Sequence, residues 1–160
     1  MSSIDLDLLS WKKPTPVCQI GEFPFAAVSL DHGHIDGQCH GLIEAGGDLR
    51  YVYDPDPQKV AQFCKTFPQV QAVDCLDRIL DHPDIRMVTA AAIPNLRGAL
   101  GVRVMNSGKD YFTDKAPFTS LDQLEEARKS VAETSRKYFV YYSERLQSEA
   151  GIYAGELIRQ

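Results

Sequence analysis

Three of the chain's four histidines, His32, His34 and His40, fall within nine positions, with Asp31 and Asp36 among them. Imidazole and carboxylate are ligands for zinc and related divalent ions, so metal binding is one chemistry open to Asp31-His32-Gly33-His34. Anion binding is a second. This segment lies between an uncharged apolar run, Phe25-Ala26-Ala27-Val28-Ser29-Leu30, and an amphipathic stretch from Ile35 to Ala45 stopped by Gly46-Gly47. A strand, tight turn and helix in that order aim helix N–H groups at a phosphate. Asp54 ends the next apolar run about 20 residues on, where an acid accepts hydrogen bonds from ribose hydroxyls. It is equally a turn former, because Asp-Pro pairs favour turns. Asp56 suits the cap of the helix that follows.

These residues need a scaffold, and the pattern supplies one. After the first strand and helix, Leu49 to Tyr53 reads as a second strand and Gln58 to Phe67 as a second helix. Val70 to Val73 is a short third strand, followed by a helix from Leu76 to Asp81. Ile85 to Ala91 is a fourth strand, broken by Ile93-Pro94-Asn95, which opens a helix running to Ser107. Asp110 to Thr113 is a fifth strand, Leu121 to Lys137 a long amphipathic helix, and Tyr138 to Tyr142 a sixth strand. Strands alternating with helices, the first strand free of charge, predict an α/β fold with a doubly wound parallel sheet, its helices on both faces. Residues 1–22, with Pro14, Pro16 and Gly21, read as an extension; 23–146 form the domain. Residues 147–160 read as the start of a linker helix toward a missing substrate domain.

Composition sets outer limits. With 160 residues, a net charge of −5 and no basic stripe, the chain is a poor match to nucleic acid or an anionic membrane. No apolar run approaches a membrane span, and Met1 to Pro16 lacks the apolar core of a signal peptide. A cytoplasmic location is the default expectation. The scattered cysteines, Cys18, Cys39, Cys64 and Cys75, suit reduced thiols.

Several features in order carry a family resemblance over Phe23 to Leu146. They are the strand-turn-helix at 25–45, Tyr53-Asp54-Pro55-Asp56-Pro57, and Asp77 to Ile85. Pro94-Asn95, Gly108-Lys109 and Asp114-Lys115-Ala116-Pro117 complete the series. The chain resembles the N-terminal half of the glucose–fructose oxidoreductase and inositol dehydrogenase (Gfo/Idh/MocA) family. That resemblance implies a Rossmann dinucleotide-binding domain, hydride transfer with a sugar, polyol or related hydroxyl compound, and a second α/β domain for the substrate. A homo-oligomer is possible.

The resemblance also implies roles. Counting back from His40, Gly37 falls on the third glycine of G-x-G-x-x-G, and His32 and His34 fall on the first two. A Cβ at the second position obstructs approach of the backbone to a pyrophosphate. Gly33 could let the turn close in another register. Asp31 and Asp36 would repel phosphates, whereas imidazole N–H groups would attract them. Pro94 and Asn95 would line the nicotinamide side, or simply start a helix. Lys115 stands where the family has Glu-Lys-Pro and would assist acid–base chemistry at the substrate hydroxyl, with Asp114 as its shortened carboxylate partner. Arg145 is a weak match to a stretch beside the cofactor. No arginine follows Asp54, which favours NAD over NADP. The alternatives left open are a scaffold that no longer binds a dinucleotide tightly and a divalent-metal loop at His32 and His34.

Overall fold

A computed structural model describes residues 15–143 and 149–159. Six strands form one sheet: β1 (Pro24–Val28), β2 (Asp48–Tyr53), β3 (Gln71–Ala72), β4 (Met87–Ala90), β5 (Asp110–Asp114) and β6 (Tyr138–Tyr141). Their spatial order is β3-β2-β1-β4-β5-β6 and every pairing is parallel. The helices are α1 (His34–Glu44), α2 (Pro57–Thr66), α3 (Leu76–Leu80), α4 (Pro94–Asn106), α5 (Leu121–Thr134) and α6 (Glu149–Arg159).

The first strand shows why this sequence makes a two-faced sheet. All five of its residues are buried. Phe25 and Ala27 join one apolar cluster with Ile35, Cys39, Val52, Phe63 and Phe67, while Ala26 and Val28 join another with Ile79, Val88, Val104 and Tyr111. Alternate side chains thus serve opposite layers of helices, so no position tolerates a charge. On the second face α4 lies close against the sheet. A Cβ at Gly101 would stand 2.4 Å from the Tyr138 ring and 2.6 Å from Tyr111.

Element order matches the expected alternation, and the differences are at the ends. β1 stops at Val28, because Ser29 adopts a left-handed φ of 54°. α1 starts one residue early, at His34, and ends in a turn that only glycine suits. Gly46 (φ 100°) and Gly47 donate to Ile43 O at 2.9 Å and Leu42 O at 2.8 Å. α5 stops at Thr134 and not Lys137, since Ser135 (φ 56°) turns the chain. β6 ends at Tyr141, one residue short of the expected end, and β3 is shorter at both ends. In the lead-in, the Val17 N–H donates to Ala45 O at 2.8 Å, fastening it beside the end of α1. Arg145 and the first residues of the expected linker helix lie outside the described residues.

Candidate functional site

Because all six strands run the same way, the ends of β1, β2, β4 and β5 share one edge of the sheet. The chain reverses its winding between β1 and β4, and the loops there diverge to leave a crevice. The loop from β1 to α1 is tied down on both sides. Ser29 donates its N–H to Tyr53 O at 3.2 Å and accepts from Ala91 N–H at 3.1 Å. Asp54, buried at the end of β2, accepts from Leu30 N–H at 2.7 Å through Oδ2 and from Asp56 N–H at 2.9 Å through Oδ1. Both of its oxygens therefore hold backbone, and any ribose contact must use their remaining lone pairs. Asp56 caps α2, accepting from Gln58 N–H at 2.8 Å.

The expected role of Gly33 in closing the turn is not needed. Gly33 is the N-cap of α1 with an ordinary φ of −61°, and Ser29 takes the left-handed conformation in its place. What Gly33 leaves is space: nothing stands within 4 Å of where a Cβ would be. Gly37 does meet the packing demand of a third glycine. A Cβ there would stand 2.8 Å from the Tyr141 hydroxyl, so its absence admits α1 against β6.

The two histidines of the loop turn toward β5. His34 Nδ1 lies 2.9 Å from Asp114 Oδ1, and a carboxylate only accepts, so the imidazole N–H donates. His32 Nδ1 accepts the His34 backbone N–H at 3.2 Å and lies 3.6 Å from Asp114 Oδ2. The metal cluster anticipated with His40, Asp31 and Asp36 does not assemble as expected. His40 points outward along α1 against Phe67, with ring centroids 4.8 Å apart, and Asp31 pairs with Lys59 at 2.5 Å. A helix carries residues 34 and 40 to different sides, and Asp114, from β5, takes the vacant place beside His32 and His34.

Asp114 is buried and surrounded. Arg97, also buried, bonds its Oδ2 at 3.1 Å, and the Lys115 N–H bonds its Oδ1 at 2.8 Å. The rest of the guanidinium is spent on backbone: Nε donates to Ala92 O at 2.6 Å, and one terminal nitrogen donates to Lys115 O and Ala116 O. Arg97 thereby fixes the turn Asp114-Lys115-Ala116, in which the Lys115–Ala116 peptide is cis. Lys115 emerges from this turn half-buried at the sheet edge. Pro94 and Asn95 open α4 at the same edge, both exposed, and the Asn95 carbonyl accepts from Gln123 Nε2 at 2.9 Å.

On the far side of α1's N-terminus an open cleft of about 360 Å³ is lined by His32, Gly33, Asp36, Asp56, Gln58 and Lys59 among others. Its size and position suit the nucleoside half of a dinucleotide crossing the edge. The loop offers donors there too: among the described residues, the N–H groups of His32 and Gly33 have no partner. Free N–H groups at an open helix start are what a phosphate takes. The fold and this edge define a dinucleotide-binding α/β domain.

The chain belongs to the Gfo/Idh/MocA oxidoreductases: residues 28–142 match the family's NAD-binding Rossmann-fold domain. Among curated proteins none matches. A crystal structure of a candidate oxidoreductase from Erwinia carotovora atroseptica SCRI1043 is 38% identical, with a TM-score of 0.82, over 86% of this chain and 41% of that one. GenD2 from gentamicin A biosynthesis, crystallised with NAD, is 17% identical (TM-score 0.78; 90% of this chain, 41% of that). The WlbA dehydrogenase of Chromobacterium violaceum, crystallised with NADH and UDP-GlcNAcA, is 18% identical (TM-score 0.75; 90% and 41%). The latter two show the shared fold. The chain spans about two fifths of the length of these structures.

Sequence reasoning passed over Arg97, although a signal existed. Residues 97, 101, 104 and 105 are spaced to share a helix face and are all buried, so the arginine faces inward with the apolar residues. A charged residue on such a face needs a partner at hand. Tyr141, within the expected sixth strand, and Lys59 carry no comparable signal.

Proposed function

We propose that this chain is the cofactor domain of an NAD-dependent oxidoreductase acting on a hydroxyl-bearing small molecule of the sugar or polyol kind. Bound nicotinamide supplies the hydride donor or acceptor. The observation that carries the reading is the bond from His34 to Asp114, 2.9 Å long. It joins the loop suited to a pyrophosphate directly to the turn that bears Lys115, so one short crevice serves both binding and proton transfer.

In this reading the His32 and Gly33 N–H groups and the His32 ring hold phosphate. Pro94 and Asn95 flank the nicotinamide end. Lys115 donates a hydrogen bond to the substrate oxygen, giving up a proton when a carbonyl is reduced and receiving one when an alcohol is oxidised. Arg97 and Asp114 hold the Lys115 backbone in place and touch no substrate. NAD is preferred to NADP because Asp36 and Asp56 line the cleft with negative charge, and Lys59, which also lines it, is already paired with Asp31. Substrate contacts come from a further domain, and assembly into a homo-oligomer belongs to the same proposal, as does a cytoplasmic site of action. Among the described residues no helix is long and apolar enough to cross a membrane.

The test is NAD reduction, followed at 340 nm, by a chain as long as its relatives, over a panel of polyols and sugars. Lys115→Met should lower kcat by about a hundredfold or more, the usual weight of acid–base assistance, with NADH affinity unchanged. Equal turnover in the variant removes Lys115 from the chemistry.

A further inference from the structure

We propose that His32, His34 and Asp114 form a site for a divalent transition-metal ion at the mouth of the crevice. The Nδ1 atoms of both histidines and a carboxylate oxygen of Asp114 all lie within 4.8 Å of one another. Metal bonds of about 2.0–2.2 Å in a tetrahedral arrangement require neighbouring donor atoms roughly 3.3–3.6 Å apart. His34 Nδ1 lies 2.9 Å from Asp114 Oδ1 and His32 Nδ1 lies 3.6 Å from Oδ2, one histidine beside each carboxylate oxygen and both near that separation.

The protonation pattern is compatible with exchange. His32 Nδ1 is unprotonated, its one lone pair accepting the His34 backbone N–H at 3.2 Å, and it exchanges that hydrogen bond for the ion. His34 Nδ1 carries the proton it donates to Asp114, and the ion takes that proton's place, releasing it to solvent. Asp114 is held from behind by the Lys115 N–H at 2.8 Å and Arg97 at 3.1 Å, the kind of outer support that orients ligating carboxylates. Arg97 is the main electrostatic objection, being a cation beside the proposed ion. Its charge is partly offset by the carbonyl dipoles of Ala92, Lys115 and Ala116, to which the guanidinium donates.

Two imidazole nitrogens and one carboxylate favour zinc, cobalt, nickel or ferrous iron over magnesium or calcium, which prefer all-oxygen shells. Three protein ligands also leave open positions. His32 and His34 are 54% and 32% exposed and stand on the solvent side, so water or an anionic oxygen in the crevice can reach the ion.

The inference stands apart from the cofactor reading, and its test needs no cofactor. The chelator-treated chain is titrated with cobalt(II), watching visible d–d absorption, with equilibrium dialysis for stoichiometry. One cobalt per chain is expected, displaced by zinc. His32→Ala and His34→Ala should each weaken binding by about tenfold or more. His40→Ala, remote from the cluster, should leave it unchanged. Asp114→Asn should behave like the two histidine substitutions if it folds; these, one in the exposed loop and one at the first, partly exposed residue of α1, keep the test decisive if it does not. Absence of saturable one-to-one binding, or binding that survives the loss of both His32 and His34, overturns the proposal.

Discussion

Replacing Arg97 with methionine isolates the buried ion pair at the centre of the site. Methionine roughly preserves the apolar volume while removing the guanidinium. Asp114 would keep the Lys115 N–H and His34 but lose its buried cation, and the carbonyls of Ala92, Lys115 and Ala116 would lose their donor. Removing one partner of a buried pair costs about 3–5 kcal/mol, because the other is left desolvated and uncompensated. Against a domain stability of about 5–15 kcal/mol that is a large fraction. Urea unfolding followed by far-UV circular dichroism should show the loss as a lower midpoint at unchanged slope. Adding Asp114→Asn should recover part of it, with a coupling of about 2 kcal/mol or more in the double-mutant cycle. A loss under about 1 kcal/mol, or strict additivity of the two changes, would refute the view that Arg97 and Asp114 jointly hold the Lys115 turn.

Asp54→Ala strands the Leu30 and Asp56 N–H groups and should destabilise by about 2–3 kcal/mol in thermal or urea unfolding. A near-neutral result would mean that water replaces the carboxylate. Gly37→Ala adds a Cβ 2.8 Å from the Tyr141 hydroxyl and should cost about 1–2 kcal/mol despite the better helix propensity of alanine. The same change in a Tyr141→Phe background should cost less, and an equal cost in both backgrounds would contradict the contact. Alkaline pH should unfold the domain early. Burial, with Asp36 adding repulsion, pushes the Cys39 thiol well above its usual 9.0, and burial likewise raises Tyr111 and Tyr138. Above pH 9 the unfolded chain releases the Cys39 proton while the folded chain keeps it, so stability falls as pH rises, by up to about 1.4 kcal/mol per unit. Burial lowers Lys109, which works oppositely below 10.5, since raising the pH relieves its cost. Cys39→Ala should therefore flatten the decline between pH 9 and 10 relative to the parent, Lys109 cancelling in the comparison. Parallel pH profiles would show that the thiol titrates as in the unfolded chain.

The sheet was legible because its evidence is local and redundant. Uncharged runs such as Phe25 to Val28 must be buried on both faces, and the alternation with helices then leaves little choice of topology. Boundaries failed where a non-glycine residue does what glycine usually does: Ser29 and Ser135 both take left-handed φ, and nothing in a serine announces it. The site was only half legible for a related reason. The loop and the turn at Lys115 each gave a pattern, but their contact joins positions 80 residues apart. His34 was read as an obstruction to phosphate approach. Its ring also bonds Asp114, which no spacing rule could supply. Arg97 escaped because an arginine in a helix reads as solvent-facing until its neighbours at one-turn spacing are seen to be core.

NADH titrated into the chain and followed by the cofactor's own fluorescence tests the central claim, that the crevice at the β1–β4 switch point receives a dinucleotide despite histidines at the glycine positions. Saturable micromolar binding, weaker for NADPH, is the predicted result. Absence of saturation with either cofactor, both here and in a chain as long as its relatives, would contradict the account and leave a Rossmann scaffold without its ligand.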